Sequence, residues 1–279
     1  MLGAILGFAA KAANKKATPS WLAEFDLLND GSDGAYSPVS NQTLGSGMYR
    51  FSSLNIPVGV TITPSNSYLI FLVNGVANID GLISASGKGS VGSVAGQGNI
   101  GSGAGAGGGG CGAGSSGYGF AGGGAGGAGN QQTGGAAGSG GAGGSGGGTS
   151  SVTGGAGGVS TADFALAFGV EQFRKTYGAS GGAPQSSSFV GGTGGGCVVV
   201  IAKSITGSGA IRADGTAGSN GTIGGGTSYG GSGGGGGGCV IVSASSIPVT
   251  VSANGGAGGA ATLYNGGAGG NGPVIKILK

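Results

Sequence analysis

Two long stretches of this chain, after Lys88 up to Asp163 and after Asp214 up to Lys276, carry no Asp, Glu, Lys or Arg, and glycine dominates both. Glycine loses more backbone freedom on folding than any other residue. Ordering one residue costs on the order of 1–2 kcal/mol. A chain with 79 glycines in 279 residues, against a usual share of about 7%, therefore leaves its tracts disordered or holds them with a dense set of compensating contacts. Disorder goes with low hydrophobicity and high charge. Here charged residues are 7%, mean hydropathy is +0.24, and apolar runs flank the tracts. Collagen is excluded, because the tracts keep no Gly-x-x triplet and the chain has only 7 Pro. Uncharged Gly/Ala/Ser runs can instead pack backbone against backbone.

The runs between the tracts form a degenerate repeat. The first copy is Tyr68–Val73, Ile79 and Ile83-Ser-Ala-Ser-Gly87. The second is Cys197–Ile201, Ile205 and Ile211-Arg-Ala-Asp-Gly215. The third is Cys239–Val242, Ile247 and Val251-Ser-Ala-Asn-Gly255. A half copy, Pro273–Leu278, follows. Each full copy is an apolar strand, a turn, and a second strand of the form [Ile/Val]-x-Ala-x-Gly. Its alternate residues share one face and shrink toward the glycine. Strand pairs that cannot bury their own faces predict stacking into a β-solenoid or sandwich. The tracts are then long excursions between successive copies. An excursion of some 100 residues without order is implausible in a compact domain. The physical candidate is the extended three-residue helix, which lacks internal hydrogen bonds and must bond to its neighbours. The predicted fold is mainly β and non-regular: short strand repeats combined with a bundle of polyglycine II helices, and a short N-terminal α-helix.

Three regions follow. Residues 1–40 form an N-terminal attachment segment, 41–95 a strand-rich module, and 96–279 a glycine-rich body with an insertion at 160–190. At the N-terminus Leu2, Ile5, Leu6 and Ala9 fall on one face of a short helix. The apolar run is too short to span a bilayer. Its lysines follow the apolar part, the wrong order for a signal peptide. Leu2, Ile5, Leu6, Phe8 and Trp21 are the candidates for docking onto a virion partner or onto this chain. Asp30-Gly31 and Asp33-Gly34 mark turns.

Chemistry finds little support. With no His in the chain, a Ser-His-Asp triad cannot exist. The eight acids are scattered, and turn chemistry accounts for Asp80 and Asp214. Gly81 to Lys88 fails as a phosphate loop because Gly89 follows the lysine. Cys111, Cys197 and Cys239 each follow a glycine run. An odd count without paired spacing argues against a disulfide framework and for small apolar residues at the starts of strands. No basic patch with interleaved aromatics points to nucleic acid. The expectation is a non-enzymatic protein without metal or cofactor.

The tracts Gly107–Cys111, Gly122–Gly129 and Gly233–Cys239, joined to an ordinary N-terminal segment, resemble the tip adhesins of T-even-like phage tail fibres. The stretch from Leu44-Gly-Ser-Gly-Met-Tyr-Arg-Phe51 to Ile79-Asp-Gly-Leu-Ile-Ser-Ala-Ser-Gly87 looks like the β-solenoid openings of other glycine-rich phage and bacterial proteins. The resemblance is compositional and covers about residues 44–279; the N-terminal hydrophobic helix departs from it. It implies a virion protein at a fibre or spike tip. The N-terminal segment would bind other virion proteins. Loops would contact a bacterial surface receptor, an outer-membrane protein or glycan. A homo-oligomer is compatible with this. The alternatives are a non-adhesive virion scaffold (capsid decoration, spike or tail-tip protein) and a secreted bacterial matrix or ice-binding protein.

Reversals are expected where bulkier residues interrupt glycine: around Tyr118 and Phe120, Asn130–Thr133, Thr149–Val152, Asn220–Tyr229 and Thr262–Asn265. Receptor-contact candidates are Tyr118, Gln131, Phe168, Tyr177, Tyr229 and Tyr264, since Tyr offers rigid amphipathic area. The same aromatics can instead plug gaps between glycine helices. Phe168 and Tyr177 belong to the insertion, which carries either a partner surface or a satellite core.

Overall fold

The computed structural model describes residues 20–89, 191–221, 223–224, 227–228, 234–260 and 268–279. Within these the protein is mainly β, with parallel sheets and one short helix, α1 (Ser20–Leu28). The strands are β1 (Ala35–Tyr36), β2 (Gln42–Leu44), β3 (Gly47–Phe51), β4 (Ser53–Ile56), β5 (Thr61–Pro64), β6 (Tyr68–Ile79) and β7 (Leu82–Ser84). After the long tract come β8 (Cys197–Thr206), β9 (Ala210–Arg212), β10 (Ile223–Gly224), β11 (Thr227–Ser228), β12 (Cys239–Ala244), β13 (Thr250–Ser252) and β14 (Val274–Leu278).

The repeat copies pair side by side. In the seven-stranded sheet β6, β8, β12 and β14 are consecutive neighbours. Their register places Leu69 beside Val198, Val198 beside Val240, and Val240 beside Val274. In the five-stranded sheet Ile83 of β7 lies beside Ile211 of β9, and Ile211 beside Val251 of β13. The two sheets close on one core. Phe71, Val200 and Val242 come from the first sheet and Ile62, Ile83 and Ile211 from the second, with Ala85, Ala213 and Ala253 at the narrowing ends. In-register parallel pairing explains why β-branched, aliphatic and small residues dominate the repeat here: each side chain meets its counterpart one rung away.

Residues 41–64 contain a rung that the repeat pattern did not disclose. Phe51, Leu54 and Ile56 stand beside Val73, Ala77 and Ile79, while Ile62 stands beside Ile83. Arg50, Ser52, Ser53 and Asn55 interrupt the apolar run, and a longer corner separates Ile56 from Ile62, so the copy is masked in sequence. The sheets run continuously from this module into the residues beyond the long tract, through β6–β8 and β7–β9.

Glycine is required at the corners. A Cβ on Gly81 would collide with the carbonyl oxygens of Pro57 and Val60. Gly207 has φ +95°, outside the range most side chains accept. Gly31 (φ 72°) and Gly34 (φ 75°) occupy the expected Asp-Gly turns.

The outer face of the seven-stranded sheet is also apolar. Leu22 and Phe25 of α1 are fully buried against Ile70, Leu72, Val199, Ile201 and Ile241. This helix was not predicted; its two fully buried residues, Leu22 and Phe25, are too few to display a period. Its docking face lies on this chain itself. Lys279 Nζ pairs with Asp26 and ties the helix to the last strand. Trp21 lies in α1, but its side chain, like Leu2, Ile5, Leu6 and Phe8, falls outside the described residues.

Candidate functional site

The candidate site is the set of glycine runs that leave and rejoin the strand core. Residues 213–221 and 253–260 run outward; 191–196, 234–238 and 268–272 run back. Outward runs bond to each other in parallel at every third residue: the N–H groups of Gly215, Gly218 and Gly221 donate to the carbonyls of Asn254, Ala257 and Ala260 at 2.8, 2.9 and 2.8 Å. Outward and returning runs bond in antiparallel fashion with the same interval. Gly235 and Gly238 donate to Thr216 and Ala213; Gly269 and Gly272 donate to Gly256 and Ala253. Returning runs are linked by Gly195 to Gly236 and Gly237 to Gly270. The result is two layers, with lateral hydrogen bonds both within and between them.

Burial repeats at the same interval. Ala253, Gly256 and Gly259 are buried, whereas Asn254, Ala257 and Ala260 are exposed. A β-strand would alternate every two residues; this backbone presents one face every three. Absence of side chains is a steric condition of the arrangement. A Cβ on Gly195, Gly215, Gly234, Gly237, Gly238, Gly256, Gly269 or Gly272 would overlap a neighbouring run's carbonyl oxygen.

Polar side chains stitch the bases of the excursions together. Asp214 N–H donates to Ser86 Oγ at 3.0 Å, and Asp214 Oδ1 accepts from Asn254 N–H at 2.6 Å. Asp214 Oδ2 accepts from Ser252 Oγ at 3.0 Å. Ser86, Asp214 and Asn254 are the same position in successive copies. Asp214 is thus a bridge between rungs rather than a turn residue. Asp80 does serve a corner: its Oδ1 accepts from Ser208 N–H at 3.1 Å. A second ladder follows the sheet register, with Asn78 donating to Asn55 Oδ1 (2.9 Å) and Thr206 donating to Asn78 Oδ1 (3.0 Å). Neither ladder has an evident sequence signal beyond the polar residue at equal places in the copies.

Within the reversal expected at Asn220–Tyr229, β10 and β11 pair in antiparallel fashion, with Gly224 beside Thr227. Runs 253–260 and 268–272 are also antiparallel; the reversal expected at Thr262–Asn265 lies outside the described residues. Tyr229 and Tyr264 themselves, with Tyr118, Gln131, Phe168 and Tyr177, lie outside the described residues, as do Phe120, Cys111 and the whole insertion. Cys197 and Cys239 occupy buried starts of strands, as the glycine runs before them suggested. Among the described residues no three His, Cys, Asp or Glu side chains group so as to hold a metal ion. No helix among them is long and apolar enough to cross a membrane.

Comparison with protein-family models, with curated proteins and with solved structures finds no match to this chain.

Proposed function

We propose that this is a non-enzymatic bacteriophage virion protein that acts as a host-receptor-binding adhesin at a fibre or spike tip. In this reading the strand repeats form a β-solenoid, the glycine runs form a polyglycine II bundle, and the reversals between runs are the receptor loops. The observation that carries it is the three-residue interval of the hydrogen bonds between 213–221 and 253–260, matched by burial at the same interval along 253–260. A backbone bonded on several sides needs no conventional core to be stiff, and stiffness lets an adhesin hold short loops at a distance from its base. Tyr229 and Tyr264, beside two such reversals, are the residues proposed to touch the receptor; virion proteins would bind the N-terminal segment.

The test is adsorption of particles, or of purified protein in competition, to whole host cells. Tyr229→Ala and Tyr264→Ala should lower adsorption at least several-fold while leaving Tm unchanged. Unaltered adsorption in both, and in a variant with both loops replaced, would remove the adhesin proposal.

A second reading, a non-adhesive virion scaffold, is favoured by the last strand. Val274 and Leu278 are 40% and 71% exposed although the corresponding positions of β12 are buried. Such a face suits packing within an assembly. Under this reading loop variants adsorb normally and deletion of the protein lowers particle stability.

A further inference from the structure

Cys197 and Cys239 are direct neighbours in the register of β8 and β12 and both point to the outer face of the sheet, beneath α1. They are 1% and 0% exposed. In-register strands stand about 4.8 Å apart, inside the roughly 4.4–6.8 Å range of Cα separations that a disulfide bridges. Both side chains belong to the same buried cluster at directly paired register positions, so the two thiols are neighbours. An odd count of three cysteines without paired spacing argued against a disulfide framework; the register brings two of them together although they are 42 positions apart. The third cysteine, Cys111, has no part in this pair.

We propose that Cys197 and Cys239 are a site of disulfide formation that staples two adjacent rungs and fixes both ends of the intervening glycine excursion. The oxidant class is a small-molecule disulfide such as oxidised glutathione. One cysteine thiolate attacks it and one glutathione thiolate leaves. The second cysteine, losing its proton, then attacks the protein sulfur of the mixed disulfide and expels the second glutathione as thiolate. Two thiols are thereby oxidised and one disulfide is reduced; the two protons lost by the cysteines are taken up, through solvent, by the two glutathione thiolates. In the closed fold the pair resists this exchange. The hydrogen bond to Cys197, and then burial, hold the Cys239 thiol well above its ordinary pKa, and thiolate is the reactive form. The bond therefore forms while the outer face is still open, before α1 docks.

The experiment uses the full chain incubated in a glutathione redox buffer near its melting temperature and then cooled. Free thiols are blocked with N-ethylmaleimide in denaturant, and intact mass and peptide linkages are read. One adduct, on Cys111, with a peptide joining Cys197 to Cys239, is the expected result. It should come with a rise in Tm of roughly 5–10 °C that dithiothreitol abolishes, from closing a loop of about 40 residues. Cys197→Ala and Cys239→Ala should each give two adducts and no rise. Three adducts on the wild-type chain, glutathione held on separate cysteines, or a linkage through Cys111 would each overturn the proposal.

Discussion

Substitution of Gly238 by alanine tests the idea that missing side chains, rather than flexible ones, hold the glycine layers together. Gly238 lies between two runs. Its N–H donates to Ala213 O at 2.7 Å, and the next amide, of Cys239, donates to Gly196 O at 2.9 Å. A Cβ at 238 would overlap the Gly196 carbonyl oxygen and crowd Gly195. Those atoms are backbone and cannot rotate away, so the returning runs must separate. Losing the two lateral bonds costs about 1 kcal/mol each, and overpacking adds roughly 1–3 kcal/mol. The total is about 3–5 kcal/mol, which at about 2 °C per kcal/mol for a chain of this size lowers Tm by roughly 6–10 °C. Differential scanning calorimetry of Gly238→Ala beside Gly47→Ala reads the effect. Gly47 has no neighbour nearer than 3.9 Å to an added Cβ, so its variant should melt within about 1 °C of the parent. Equal melting of both variants and the parent would show that the runs do not pack as described, and the lateral-bonding argument would fail.

Asp214→Ala removes acceptors for Asn254 N–H and Ser252 Oγ. It should destabilise by about 2 kcal/mol in urea titration, and Asp214→Asn, which keeps one carbonyl acceptor, by less. Phe25→Ala should cost about 3–5 kcal/mol, since Phe25 is 0% exposed between α1 and the sheet; chemical denaturation reads that loss, and binding of a hydrophobic dye should rise as the outer face opens. The Asp30 carboxyl is held below its ordinary 3.8 by hydrogen bonds from Ser32 and then by the Arg50 charge. A lowered folded pKa adds stability above the unfolded value and loses it as pH falls through the folded one. Tm should therefore drop more steeply below about pH 4 in the parent than in Asp30→Asn, and parallel curves would show that Asp30 makes no such contribution.

The copies beginning at Tyr68, Cys197, Cys239 and Pro273 could be read directly, because parallel in-register stacking demands like residues at like places. The strand starts align in space as they do in sequence, but Ile205 stands beside Ala77 rather than Ile79. The rung at 47–64 escaped notice for the opposite reason. Phe51, Leu54, Ile56, Val60 and Ile62 are buried in the core, and several positions between them are free to be polar. Helix α1 was missed because its buried residues, Leu22 and Phe25, respond to a sheet face built by strands far away in the chain. Asp214 was assigned to a turn since its partners, Ser252 and Asn254, become neighbours only when rungs stack.

By itself the sequence established the β repeat and the need for uncharged glycine to be satisfied by its own backbone, because composition and period are local properties. Which run lies beside which, in what direction, and which residues of each face outward depended on the closed structure. A glycine tract carries no side chain to encode a partner, so its neighbours are chosen by the strands that anchor its ends.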